Sequence, residues 1–242
     1  MGWIIAGIGA AAAVALWARW LMRRRSHWFV RLTDAIPVHS DWWKSQRTKT
    51  GDLLYVAIGD SAAQGIGASS PGRSYVGRVA QHVRSTGRTV RVVNLGVSGA
   101  TLRVAIEKEL PALRKLSPDL VTVSIGANDI NSFDPARFER ELTELVAALP
   151  GHAIVADLPS FRPLPAERQV RVANTILRRV AGERGLTVAP LHAAMRRQGM
   201  WGVTTQFAGD LFHPNDRGYR VWASAFLPAV DARLRELPPP LS

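Results

Sequence analysis

From residue 52 onward, five short apolar runs alternate with stretches of helical periodicity. The first is Leu53-Leu54-Tyr55-Val56-Ala57-Ile58, and the others are 90–95, 120–125, 153–158 and 186–190. A run that is apolar at nearly every position, rather than at alternate ones, marks a strand buried on both faces. Helical patterns fill the gaps at 74–86, 102–116, 135–149, 166–184 and 216–236. Strand and helix in alternation build a parallel sheet covered by helices on both sides. The expected α/β domain covers 51–237, and Pro238-Pro239-Pro240 opens a disordered tail over 238–242.

The first fifty residues have a different character. Gly2 through Ala18 carries no charge, and Arg19 and the triplet Arg23-Arg24-Arg25 follow it. Seventeen residues is the lower limit for a helix that crosses a bilayer. Six of the eight tryptophans lie within the first 43 residues, with Trp3 near one end of the apolar run and Trp17 and Trp20 near the other, as in interfacial belts. Residues 1–25 are therefore expected to be a single-pass membrane anchor with a basic flank. Residues 26–50 follow as a juxtamembrane linker or interfacial stretch, in which His27-Trp28-Phe29-Val30 and Trp42-Trp43 could rest in the headgroup region or equally pack on the domain. The positive-inside rule places the α/β domain on the cytoplasmic side of a cell membrane. A cleaved signal peptide would carry its charge before the apolar run rather than after it. About half of the formal net charge of +12 lies between residues 19 and 49. Beside an apolar segment, that charge fits anionic lipid headgroups. No basic stripe with stacking aromatics calls for nucleic acid. The chain has no cysteine, so disulfides and thiolate metal ligands are excluded.

In a parallel α/β sheet, ligands bind at the carboxyl ends of the strands. The polar residues and glycines of this chain gather there. The first strand ends at Gly59-Asp60-Ser61, the second at Asn94-Leu95-Gly96-Val97-Ser98-Gly99, and the third at Gly126-Ala127-Asn128-Asp129. Asp210-Leu211-Phe212-His213 enters the same rim before the last helix. A serine hydroxyl becomes a useful nucleophile when a neighbouring base takes its proton. At a spacing of three, Asp210 can hold Nδ1 of His213 and leave Nε2 facing Ser61. Gly96 has no side chain to keep an oxyanion from its N–H, and Asn128 can offer a side-chain amide to the same oxyanion. Each motif alone also serves a structural purpose. Serine caps helices, glycine makes tight turns, asparagine bonds its own backbone, and Asp-x-x-His is a common polar turn.

All four blocks in this order resemble the SGNH hydrolases, the GDSL-type lipases and esterases, over about residues 52–236. The matching residues are Ser61, Gly96, Asn128 and His213, with Asp210 as third member of the triad. The departure is Ala62-Ala63-Gln64, where the family often has leucine and small polar residues after its serine. The resemblance implies a flavodoxin-like three-layer α/β/α sandwich with a five-stranded parallel sheet, and hydrolysis of carboxylic esters without metal or organic cofactor. It implies an oxyanion hole made by Ser61, Gly96 and Asn128. The substrates in view are small-molecule or lipid esters, including lysophospholipids, with Phe161 and Trp201 in loops of the acyl pocket. An acyltransferase using the same serine and an inactive membrane-tethered binding module are the alternatives. The residues are silent on oligomeric state.

Overall fold

Five parallel strands in the order β2-β1-β3-β4-β5 form the sheet of this computed structural model. They are β1 (Leu53–Gly59), β2 (Val90–Asn94), β3 (Leu120–Ser124), β4 (Ile154–Ala156) and β5 (Thr187–Ala189). The structure describes residues 2–239, with side chains from Ala15 onward. Each strand lies within two residues of its expected run. The order reverses at β1, so the crevice between the ends of β1 and β3 is the place where this topology binds ligands.

The helices are α1 (Gly2–Arg47), α2 (Ser61–Gln64), α3 (Tyr75–Ser85), α4 (Leu102–Val104), α5 (Leu110–Leu113), α6 (Pro135–Ala147), α7 (Glu167–Glu183), α8 (Leu191–Arg196), α9 (Gly199–Thr205) and α10 (Asp216–Glu236). Alternation along the strands sends side chains to opposite layers. Val56, Ile58, Val121, Val123 and Val155 pack with α4 to α7 on one face. Tyr55, Ala57, Val92, Ile154 and Ala156 pack with α3, α8 and α10 on the other. This is the expected sandwich.

Between α4 and α5 the chain makes a π-helical turn, Ala105–Glu109. That turn carries Glu109 under the end of β1, where Oε2 accepts the Gly59 N–H at 2.9 Å. Burial pushes the Glu109 carboxyl up to about 9. A carboxyl raised in this way favours the native state at pH values below its unfolded pKa near 4.5, and the contribution is lost as pH climbs through about 9. The unfolding free energy should therefore fall across that interval. Glu109→Gln should flatten the fall, and urea titrations at the two ends check it.

The amino-terminal expectations change in part. Most of the charge-free stretch Gly2–Ala18 lies outside the residues whose side chains are described. Among the described residues, no helix is long and apolar enough to cross a membrane. The stretch expected as a linker is helical to Arg47. Leu32, His39, Trp43 and Gln46 are buried on this helix, and Trp43 joins the core beneath α3 and α10. The helix holds because these residues, with Trp28 and Ile36, recur every three or four positions and give it an inward face. The tail expected from Pro238 is described only through Pro239, and the Pro238 carbonyl accepts a bond from Arg88.

Candidate active site

The turn that carries Ser61 begins where β1 stops. A Cβ at Gly59 would press on the carbonyl of Ser124, so only glycine lets β1 and β3 stay in register there. Asp60 caps α2 by accepting the Ala62 N–H at 2.9 Å. Ser61 is the first residue of that helix, so its own N–H has no partner within the helix. Among the described residues this N–H donates to nothing. It sits at the positive end of a helix turn, on a residue that lines the crevice.

Asp210 and His213 lie in a loop between α9 and α10. A bridge between Phe207 and Pro214 closes it, and Asn215 caps α10. Leu211 sits at φ 59, a left-handed conformation that L side chains rarely adopt. The kink folds the loop around Asp210, whose Oδ1 accepts the N–H groups of Phe212 and His213, both at 3.1 Å. Its Oδ2 lies 2.6 Å from Nδ1 of His213. On the other side of the ring, Nε2 lies 3.0 Å from Oγ of Ser61. Burial pushes the Asp210 carboxyl up, but the bond to His213, the charge of that ring and the two N–H groups outweigh it. The group is held below the usual carboxylate range. A carboxylate that stays ionised keeps the Nδ1 proton in place, so Nε2 is the acceptor.

Asn128 opens a 3₁₀ turn after β3. Its amide donates to the Ala100 carbonyl at 2.9 Å and, through a longer 3.3 Å contact, to Oδ2 of Asp60. Burial pushes the Asp60 carboxyl up to about 6. Asp129 braces the neighbouring loop by accepting the Leu102 N–H at 3.1 Å.

Gly96 is placed differently from the expectation. It is buried, its N–H donates to Oδ1 of Asn94 at 3.0 Å, and its carbonyl accepts from Gln64. A Cβ there would meet Ala63 at 2.8 Å, so this glycine serves packing beneath α2. The crevice is lined instead by Gly99, three residues on, together with Ser98, Ser61, Asn128 and His213. Gly99 has φ 80 and open space around its Cα. Among the described residues its N–H donates to no protein group. The signal in the sequence was two glycines within four residues after β2. Only the backbone angle tells which one faces the crevice.

Phe161 lines a cavity of about 270 Å³ beside Ser61, Asn128 and His213. Its loop is held by Glu167, which sequence reasoning missed. Oε2 of Glu167 accepts the Phe161 N–H at 2.7 Å, and Oε1 lies 2.8 Å from Nε2 of the buried His192. Trp201 does not join this cavity. It lies on α9 rather than in a loop and is 68% exposed. The buried residue of that helix is its neighbour Gly202.

A larger cavity of about 880 Å³ also reaches Ser61 and His213, and α1 forms much of its wall. The Trp28 ring lies against Gly209, where any Cβ would overlap it. His39 Nδ1 and Trp43 Nε1 lie 2.9 and 3.0 Å from the Gln64 carbonyl, in the turn that follows Ser61.

The sequence model of the GDSL-like Lipase/Acylhydrolase family matches residues 57–221. Among solved structures, LAE5, an alpha/beta hydrolase enzyme from the metagenome of Lake Arreo, is 28% identical with a TM-score of 0.64, over 77% of this chain and 99% of its own. A lipase/acylhydrolase from Enterococcus faecalis is 20% identical with a TM-score of 0.64, over 78% of this chain and 100% of its own. A variant acetyl xylan esterase from Geobacillus stearothermophilus is 24% identical with a TM-score of 0.61, over 74% of this chain and 94% of its own. The last two show likeness of fold. A search of curated proteins gives no significant match.

Proposed function

The chain belongs to the GDSL-like lipase/acylhydrolase family and is a carboxylic ester hydrolase, and on that premise we infer that Ser61, His213 and Asp210 carry the reaction as a triad. The supporting observation is the unbroken chain of contacts Asp210–His213–Ser61, at 2.6 and 3.0 Å. His213 Nε2 takes the Ser61 proton as Oγ attacks the ester carbonyl. A C–O bond forms and the carbonyl oxygen becomes an oxyanion. The tetrahedral centre collapses, the ester C–O bond breaks, and the imidazolium gives its proton to the departing alcohol. Water, deprotonated by the same ring, then attacks the acyl-serine and releases the acid.

The oxyanion donors in this reading are the N–H groups of Ser61 and Gly99 and the amide of Asn128. Among the described residues, the two backbone donors have no protein acceptor to leave. Asn128 has only the long contact to Asp60 to exchange for an oxyanion. Preorganised donors of this kind lower the barrier because they need little reorientation. Asn128→Ala should lower kcat on p-nitrophenyl acetate by about 10²–10³, with a much smaller change in KM. An unchanged kcat removes Asn128 from the oxyanion site.

The substrate class within this reading is carboxylic esters, with lipid esters favoured by the apolar lining around the triad. Release of acid and alcohol in equal amounts from p-nitrophenyl acetate tests the reaction itself. The absence of turnover in purified protein would overturn it.

A further inference from the structure

Helix α1 lies outside the matched family region, which begins at residue 57. Yet one of its faces belongs to the active site. Met22, Ser26, Phe29, Thr33 and Ile36 follow one another at intervals of three or four residues, the spacing of a single helix face. All five line the cavity that ends at Ser61 and His213. From Met22 to Ile36 that face is about 21 Å long. It is largely apolar, interrupted by Arg25, Ser26 and Thr33. Phe29 is 66% exposed, an aromatic ring left beside a cavity with no protein core over it.

The wall is also fixed in place. Trp28 packs on Gly209, the residue before Asp210, and His39 and Trp43 reach the Gln64 carbonyl just after Ser61. Both catalytic segments therefore hold α1, and the groove between them is preformed. An ester presents two arms to a serine, and here two cavities meet at Ser61. The smaller one, about 270 Å³ and lined by Phe161, suits a short arm. The groove along α1 suits a long one.

We propose that α1 is the acyl-binding wall of this enzyme, and that its substrates are esters of long unbranched fatty acids whose chain lies along the Met22–Ile36 face. The proposal rests on the esterase reading above. Each methylene removed from water contributes about fourfold to kcat/KM. Activity therefore rises with acyl length as long as the chain stays on the helix.

The experiment uses the full chain and compares kcat/KM for p-nitrophenyl decanoate and p-nitrophenyl acetate. Wild type favours decanoate. Thr33→Trp, which fills the groove, and Phe29→Ser, which makes it polar, each lower the decanoate-to-acetate ratio by about tenfold or more, the worth of roughly two buried methylenes. Both positions are exposed, so neither change disturbs the core. Val38→Ser, exposed on α1 away from the cavity, leaves the ratio as it was. A wild-type ratio that favours acetate, or one that Thr33→Trp and Phe29→Ser do not move, overturns the proposal while the esterase reading stands. Decyl acetate is the second arm. If the two variants slow it and spare decanoate, the groove holds the alcohol and the proposal fails. If the wild type hydrolyses none of these esters, the esterase reading itself has failed.

Discussion

Ser61→Ala should lower kcat by about 10⁶-fold, and His213→Ala should do the same, because nucleophile and base act as one unit. The double variant should be no slower than either single one. Each substitution alone already removes the proton transfer that makes the hydroxyl reactive. What survives is binding and the oxyanion donors, worth about 10³–10⁴ over water. Stopped assays at high enzyme concentration measure such residual rates. Losses that multiply in the double variant would mean that the two residues act independently, against the 3.0 Å contact between them.

Asp210→Asn should lower kcat by about 10⁴-fold with little change in fold. The amide is the same size as the carboxylate, and its oxygen can still accept the two N–H groups at 3.1 Å. It cannot do that and also accept the Nδ1 proton while its NH₂ faces the ring. His213 is then held in the other tautomer, with a proton on Nε2 aimed at Ser61. Circular dichroism should be unchanged while activity is lost. A loss smaller than tenfold would mean that the loop orients the ring without the carboxylate.

The strands were legible because both faces of this sheet are covered. Val56, Ile58, Val121 and Val123 serve one layer, Tyr55 and Ala57 the other, and the run between polar flanks marks each strand. Ser61 and Asn128 stand out in the sequence because strand ends carry few polar residues, and the structure brings them to one cavity with Asp210 and His213 from the loop before α10. The path of α1 was not legible. Pro37 sits inside it, and polar His39 and Gln46 occupy buried positions, so the inward face does not read as an apolar stripe. The φ of proline suits a helix, and its missing N–H and bulky ring are tolerated there against the packing of Trp28, Leu32 and Trp43. The expectation named Gly96 alone, and the sequence did not point to Gly99, for a related reason. Both are glycines in one loop, and what separates them is hydrogen bonding: the Gly96 N–H is taken by Asn94, whereas among the described residues that of Gly99 meets no acceptor. Trp201 was misplaced because a bulky apolar residue in a Gly-flanked stretch reads as a pocket wall, whereas here a short helix turns it outward.

The whole account depends on Ser61 Oγ being made nucleophilic by its neighbours. Intact-protein mass spectrometry with peptide mapping, after brief treatment with an organophosphonate ester, reads this directly. The account predicts one adduct per chain, on the peptide that contains Ser61, and none in Ser61→Ala. An adduct of equal yield in Ser61→Ala, or one that maps to another residue, would contradict it.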